Sequence, residues 1–195
     1  MTSSPGSTSG LEDTLKAILP EGKFGGPLPP VHLWNPEKCG DIGMEIRADG
    51  SWWHEGRRIT RERLVRLFSR ILRKDEDGVT YLVTPYEKVI VTVADAPFMA
   101  VRVDRTGPPG PDQALTFRTN LDDETTAGAG APIRVETDPG TGEPAPYVCV
   151  RGRLEAKLTR PAFYDLVELA VPAPDGRPLI GVWSCGRFFP LGPSV

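Results

Sequence analysis

Cys39 to Leu72 reads CGDIGMEIRADGSWWHEGRRITRERLVRLFSRIL, and this stretch decides the fold. Met44 to Arg47 is a short extended run, and Ala48-Asp49-Gly50-Ser51 supplies turn chemistry. Trp52-Trp53-His54-Glu55 resumes a β-prone run, so the segment predicts a β-hairpin, because Asp and Gly tolerate the positive φ of tight turns. Thr60 then stands where an N-cap belongs, since its hydroxyl accepts a backbone N–H that the first helical turn leaves unpaired. Leu64, Val65, Leu67, Phe68, Ile71 and Leu72 recur at helical spacing and predict a helix from Arg61 with one apolar face. Arg63, Arg66, Arg70 and Arg73 fall on the opposite, solvated side, and Asp75-Glu76-Asp77-Gly78 ends the helix.

Outward from this unit the chain alternates short strands with turns. The 21 Gly and 21 Pro in 195 residues demand many loops, which suits short strands better than long helices. The fold class expected is therefore β-rich α+β. Val79 to Thr84 and Glu87 to Val93 flank Pro85-Tyr86 as half-buried strands, with Val89, Val91 and Val93 on one face. Phe98 to Val103, Leu115 to Asn120, Ile133 to Glu136, Tyr147 to Val150, Arg153 to Leu158, Leu179 to Ser184 and Arg187 to Leu191 read as further strands. Asp122 to Ala131, acidic and then Gly/Ala-rich, reads as a mobile loop. Three parts are expected: residues 1–27 as a tail with a short docking helix over Leu11 to Leu19 and a linker, residues 28–97 as an N-terminal β-rich unit, and residues 98–195 as a C-terminal one.

An internal repeat links the two units. Ile59-Thr60-Arg61 followed by Leu64-Val65-Arg66-Leu67 matches Leu158-Thr159-Arg160 followed by Phe163-Tyr164-Asp165-Leu166, 99 residues on. Pro161 suits the first turn of a helix, where its missing N–H costs nothing. A duplicated strand-and-helix module follows.

Charge and composition narrow the function. With 23 basic and 26 acidic side chains the net charge is −3, so no bulk positive field draws nucleic acid or an anionic membrane. Cys39, Cys149 and Cys185 are an odd set without a CxxC pair, which fits a reducing cytoplasm. The first ten residues lack the pattern of a signal peptide, and no apolar run is long enough to span a bilayer.

The motifs CGDIGMEI, ADGSWWHEG, LVRLFSRIL, VTPYEKVIV, PYVCVRG and VWSCGRFFPLG, in this order, resemble a bacterial family known as domain of unknown function 1285, from about residue 28 onward. The resemblance implies a two-part fold with repeated motifs similar to the core of a pleckstrin-homology domain, and a role in signal transduction. It brings no catalytic residues.

The residues themselves carry little chemistry. Cys39, Asp41 and His54 are the only nearby group resembling a nucleophile, an orienter and a base, so a thiol-dependent enzyme using Cys39 and His54 is the alternative reading. His32, Cys39, Asp41 and His54 match no zinc spacing, no phosphate-binding loop occurs, and the sequence asks for neither metal nor cofactor. The leading expectation is a non-catalytic module that binds a small molecule or a peptide. Its ligand surface is expected at Trp52, Trp53 and His54 together with Thr84, Tyr86, Glu87 and Lys88, segments that flank the helix in sequence and supply an aromatic wall with a few directed polar groups. Exposed sheet edges are compatible with a homodimer.

Overall fold

The computed structural model describes residues 27–194. The expected tail, the helix over Leu11 to Leu19 and the first residues of the linker lie outside them. The chain divides into two units, Met1–Asp95 and Ala96–Val195.

In the first unit, a 3-10 turn at Val31–Leu33 precedes β1 (Cys39–Ile46), β2 (Trp52–His54), β3 (Arg57–Arg58), α1 (Glu62–Arg70), β4 (Leu72–Lys74), β5 (Thr80–Val83) and β6 (Lys88–Val93). The six strands form one sheet in the order β3-β2-β1-β6-β5-β4. Each neighbouring pair is antiparallel except the central one, where β1 runs parallel to β6 with Cys39 beside Lys88 and Ile46 beside Val93. The two-residue period of a strand sends Met44 and Ile46, with Val89 and Val91, to one face. These four are buried together with Trp52, Leu72 and Leu82 and with Val65 and Phe68 of α1.

The helix differs from expectation at both ends. Its N-cap is Arg61 rather than Thr60, because the amides of Leu64 and Val65 both bond to the Arg61 carbonyl, and no side chain caps it. It stops at Arg70, where the Ile71 amide bonds to Phe68 and Ser69 carbonyls. Leu72 then pairs with Leu82 across β4 and β5, so Ile71 and Leu72 reach the core from outside the helix. Arg73, expected on the helix's solvated side, belongs to β4.

The second unit contains β7 (Phe98–Thr106), β8 (Ala114–Thr119), β9 (Glu124–Thr126), β10 (Ile133–Thr137), β11 (Pro144–Arg151), β12 (Leu154–Leu158), α2 (Arg160–Val167), β13 (Val171–Pro172), β14 (Leu179–Ser184) and β15 (Arg187–Pro193). Two sheets result, ordered β10-β11-β12-β7-β8-β9 and β13-β14-β15. The segment Asp122 to Ala131 is not a loop throughout: it contains β9, where the Thr125 hydroxyl donates to the Cys149 carbonyl at 3.0 Å. Beside it, Asp123 pairs with Arg151 at 2.9 Å.

The 99-residue offset runs through whole elements. Shifted by it, α1, β4, β5 and β6 fall on α2, β13, β14 and β15, and three antiparallel strands precede each helix. In the first copy the opening strand β1 pairs with the closing strand β6; in the second, β10 lies beside β15. The second unit adds the meander β7-β8-β9, joined through the parallel pair β7 and β12. The chain is thus a β-rich α+β protein, with two α-helices among the described residues.

Candidate functional site

Adjacent Trp52 and Trp53 point to opposite faces of β2, as the period of a strand requires. Trp52 is 1% exposed and stacks on Phe68, with ring centroids 6.2 Å apart. Trp53 takes the outer face: its Nε1 donates to the Ser51 hydroxyl at 2.8 Å, and the Arg47 guanidinium lies 3.5 Å from its ring centre. The Ser51 hydroxyl donates in turn to Asp49, and hydrogen bonds from Ser51 hold the Asp49 carboxyl below its ordinary range. His54 returns to the inner face, opposite Met44 on one side and Arg57 on the other. The Trp52 Nε1 and His54 Nε2 atoms are both buried and have no hydrogen-bond partner. Each such orphan costs about 1–3 kcal/mol unless something completes it.

The turn from β5 to β6 is built on Thr84. Its fully buried hydroxyl accepts from the amides of Tyr86 (3.3 Å) and Glu87 (3.0 Å) and donates to the Glu87 carbonyl (3.0 Å). The turn is therefore fixed from within, while Tyr86 at its apex is 74% exposed. Glu87 pairs with Lys38 at 2.6 Å. Lys88 reaches Asp75 at 3.3 Å and sits 4.1 Å over the Tyr81 ring.

Behind Lys88 lies a clasp that the sequence did not announce. Arg73 binds Asp75 through Nε at 2.5 Å and donates at 2.6 Å to the backbone carbonyls of Val31 and Trp34, which ties the entering chain to the sheet. The Arg73 hydrogen bond, ahead of that from Lys88, holds the Asp75 carboxyl below its usual range. Tyr81 donates its hydroxyl to Asp77 at 2.8 Å; that bond, with burial, pushes the phenol up to about 12. The acidic turn Asp75 to Gly78 was the available signal, but its partners come from other strands.

Of the expected ligand residues, Trp52 and Thr84 are core, and Trp53, Tyr86, Glu87 and Lys88 reach the surface in different degrees. Both expected segments lie on one sheet, yet not side by side. Trp53 is opposite Glu45 near the end of β1, whereas Lys88 is beside Cys39 at its start. Cys39 and His54 are likewise separated: Cys39 registers with Lys88, and His54 with Met44 on the core face, five residues further along β1. A bulge between Asp41 and Met44 shortens that path to the three steps from Lys88 to Val91 on β6, which is still about 10 Å and beyond hydrogen-bond reach. Among the described residues no three His, Cys, Asp or Glu side chains group as metal ligands. Nor is any helix among them long and apolar enough to cross a membrane.

Two family descriptions cover nearly all of the described residues. Residues 29–96 match the domain of unknown function (DUF1285), N-terminal domain, and residues 97–191 match its C-terminal domain. The chain belongs to the DUF1285 family. The boundary between these two DUF1285 domains falls one residue beyond Asp95, where the two compact units part. The chain is similar to the crystal structure of a DUF1285 family protein from Silicibacter pomeroyi DSS-3, with 48% identity over 91% of this chain and 93% of that one and a TM-score of 0.82. A second DUF1285 structure, from Shewanella baltica OS155, is 26% identical over 66% of this chain and 92% of that one, with a TM-score of 0.51. No curated protein matches this chain.

In the C-terminal DUF1285 domain two arginines are engaged by carboxylates from other segments of the unit. Arg134 holds Glu155 through two nitrogens at 2.6 and 2.7 Å and lies 4.1 Å over the Tyr147 ring. Arg151, paired with Asp123, lies 5.0 Å from the Phe98 ring centre. These pairs fasten strands to one another, and burial raises the Cys149 thiol, an unpromising setting for a nucleophile.

Proposed function

We propose that this DUF1285 protein is a non-catalytic binding module with a regulatory or signalling role, and that the turn between β5 and β6 takes a small molecule or peptide segment. One observation carries the reading: Tyr86 is 74% exposed on a turn whose backbone is fixed by the buried Thr84 hydroxyl. A large aromatic held out on a rigid backbone gives up little conformational entropy when it is covered, which is what a recognition residue needs. The Lys38–Glu87 pair beside it offers both a cation and an acceptor. The repeated arrangement of three strands, a helix and three strands supports a pleckstrin-homology-core-like reading of each copy. Three unpaired cysteines support the cytoplasm as its compartment.

Thermal shifts against a panel of metabolites and short peptides test the proposal, since a ligand that binds only the folded state raises its melting temperature. Tyr86→Ala removes the shift caused by the true ligand and leaves the ligand-free melting temperature nearly unchanged. A ligand whose shift survives Tyr86→Ala and Lys38→Ala overturns this location; turnover of a panel compound, lost on Cys39→Ser, overturns the non-catalytic reading.

A further inference from the structure

We propose that the outer half of β7 is a self-pairing edge, through which two copies of this chain associate antiparallel about a twofold axis at Val103. β12 accompanies β7 from Phe98 to Ala100, and the Thr159 amide then bonds the Ala100 carbonyl. On the other side β8 continues as far as Thr106. The Leu115 carbonyl accepts from the Ala127 amide and the Thr119 amide donates to the Asp123 carbonyl, so alternate residues of β8, Phe117 between them, turn their backbone groups toward β9. Arg118 and Thr116 therefore bond Arg102 and Asp104, while the amides and carbonyls of Val103 and Arg105 point away from β8. Among the described residues no protein group bonds them.

This edge is accessible and complementary to itself. Val101 is 44% exposed, Arg102, Arg105 and Thr106 are exposed, and so is Pro161 where α2 begins. An antiparallel pair centred on Val103 exchanges both N–H···O bonds between the two Val103 residues and sets Arg102 of each copy opposite Asp104 of the other. Arg102 and Asp104 already meet at 2.6 Å on one face of the strand, so the pairing closes a ring of four alternating charges. Across β8, Arg102 stands opposite Arg118, a like charge that a second carboxylate offsets. An axis at Asp104 would place two aspartates opposite each other, and one at Arg105 two arginines, so charge selects the register at Val103. An edge of so few residues buries less than the ~1,000 Å² of a stable interface, and the association is weak and concentration-dependent.

Sedimentation equilibrium of the full chain from about 10 μM to about 1 mM tests this: the mean mass rises toward twice that of the monomer, and hydrogen exchange at the Val103 amide slows as it does. Arg102→Asp and Asp104→Arg, at side chains 64% and 46% exposed, each weaken self-association about tenfold or more. Mixed in equal amounts these two variants pair with each other, because each supplies the charge that the other lacks. The double swap Arg102→Asp/Asp104→Arg restores self-association, which a folding defect would not allow. Tyr86→Ala leaves the association unchanged, which separates this edge from the proposed turn. The proposal is overturned by a monomer at every concentration, which leaves the edge to an extended peptide of another protein, by single reversals that associate as the parent does, or by a mixture and a double swap that both stay monomeric.

Discussion

Trp52 of β2 and Phe68 of α1 stack with their planes 23° apart, both essentially sealed from solvent. This contact joins helix to sheet in the N-terminal unit. Phe68→Ala leaves a ring-sized cavity beneath Trp52 and is expected to destabilise the unit by about 3–5 kcal/mol, read by urea unfolding followed through tryptophan emission. A loss under ~1 kcal/mol would mean that the helix closes onto the gap.

Thr84→Val keeps the volume of the side chain and deletes its hydroxyl. Two amides, of Tyr86 and Glu87, lose their acceptor. The expected cost is about 1–3 kcal/mol, with faster hydrogen exchange at those two amides, whereas Thr84→Ser restores most of both.

Tyr81 gives the protein an alkaline limb. Its phenol ionises at about 12 in the folded chain, against an ordinary value near ~10, so the unfolded state releases this proton first. Stability from this group is complete below pH ~10 and is lost as pH rises toward the folded value. Denaturant titrations across that window should show the decline, and Tyr81→Phe should remove it. Asp75 works in the opposite sense: its lowered value contributes stability above its ordinary range that is lost as pH falls through the folded value, and Asp75→Asn should flatten the acid limb.

Two glycines of the last hairpin should respond differently to the same change. A Cβ on Gly181 would clash with the Phe189 carbonyl oxygen and stand 2.7 Å from the Phe188 ring, while one on Gly192 meets nothing within 4 Å. Gly181→Ala is expected to cost about 1–3 kcal/mol or more by displacing backbone, and Gly192→Ala to leave the melting temperature within error.

Local chemistry was legible in the sequence, and distant pairing was not. Val89 and Val91 announced their face by alternation, and the match between Thr60 and Thr159 announced a repeat that extends through three strands after each helix. Thr60 failed as a cap because propensity does not decide which carbonyl the first turn uses. The partnership of Cys39 with Lys88, and of Arg73 with the carbonyls of Val31 and Trp34, depends on which strands become neighbours. The same holds for the candidate surfaces: Tyr86 could be named as a turn aromatic, but the open backbone of Val103 and Arg105 becomes visible only once the ladder between β7 and β8 is formed.

The parallel pairing of β1 with β6 also governs how the N-terminal unit is made. During synthesis β1 leaves the ribosome first of the six strands, and its permanent neighbour leaves last. Until Val93 has emerged, one side of β1 presents open amides and carbonyls next to Met44 and Ile46, an edge that other nascent chains could join. A unit whose two ends meet at the centre of its sheet completes in one late step, so its yield in a cell should depend on chaperone supply more than its final stability suggests.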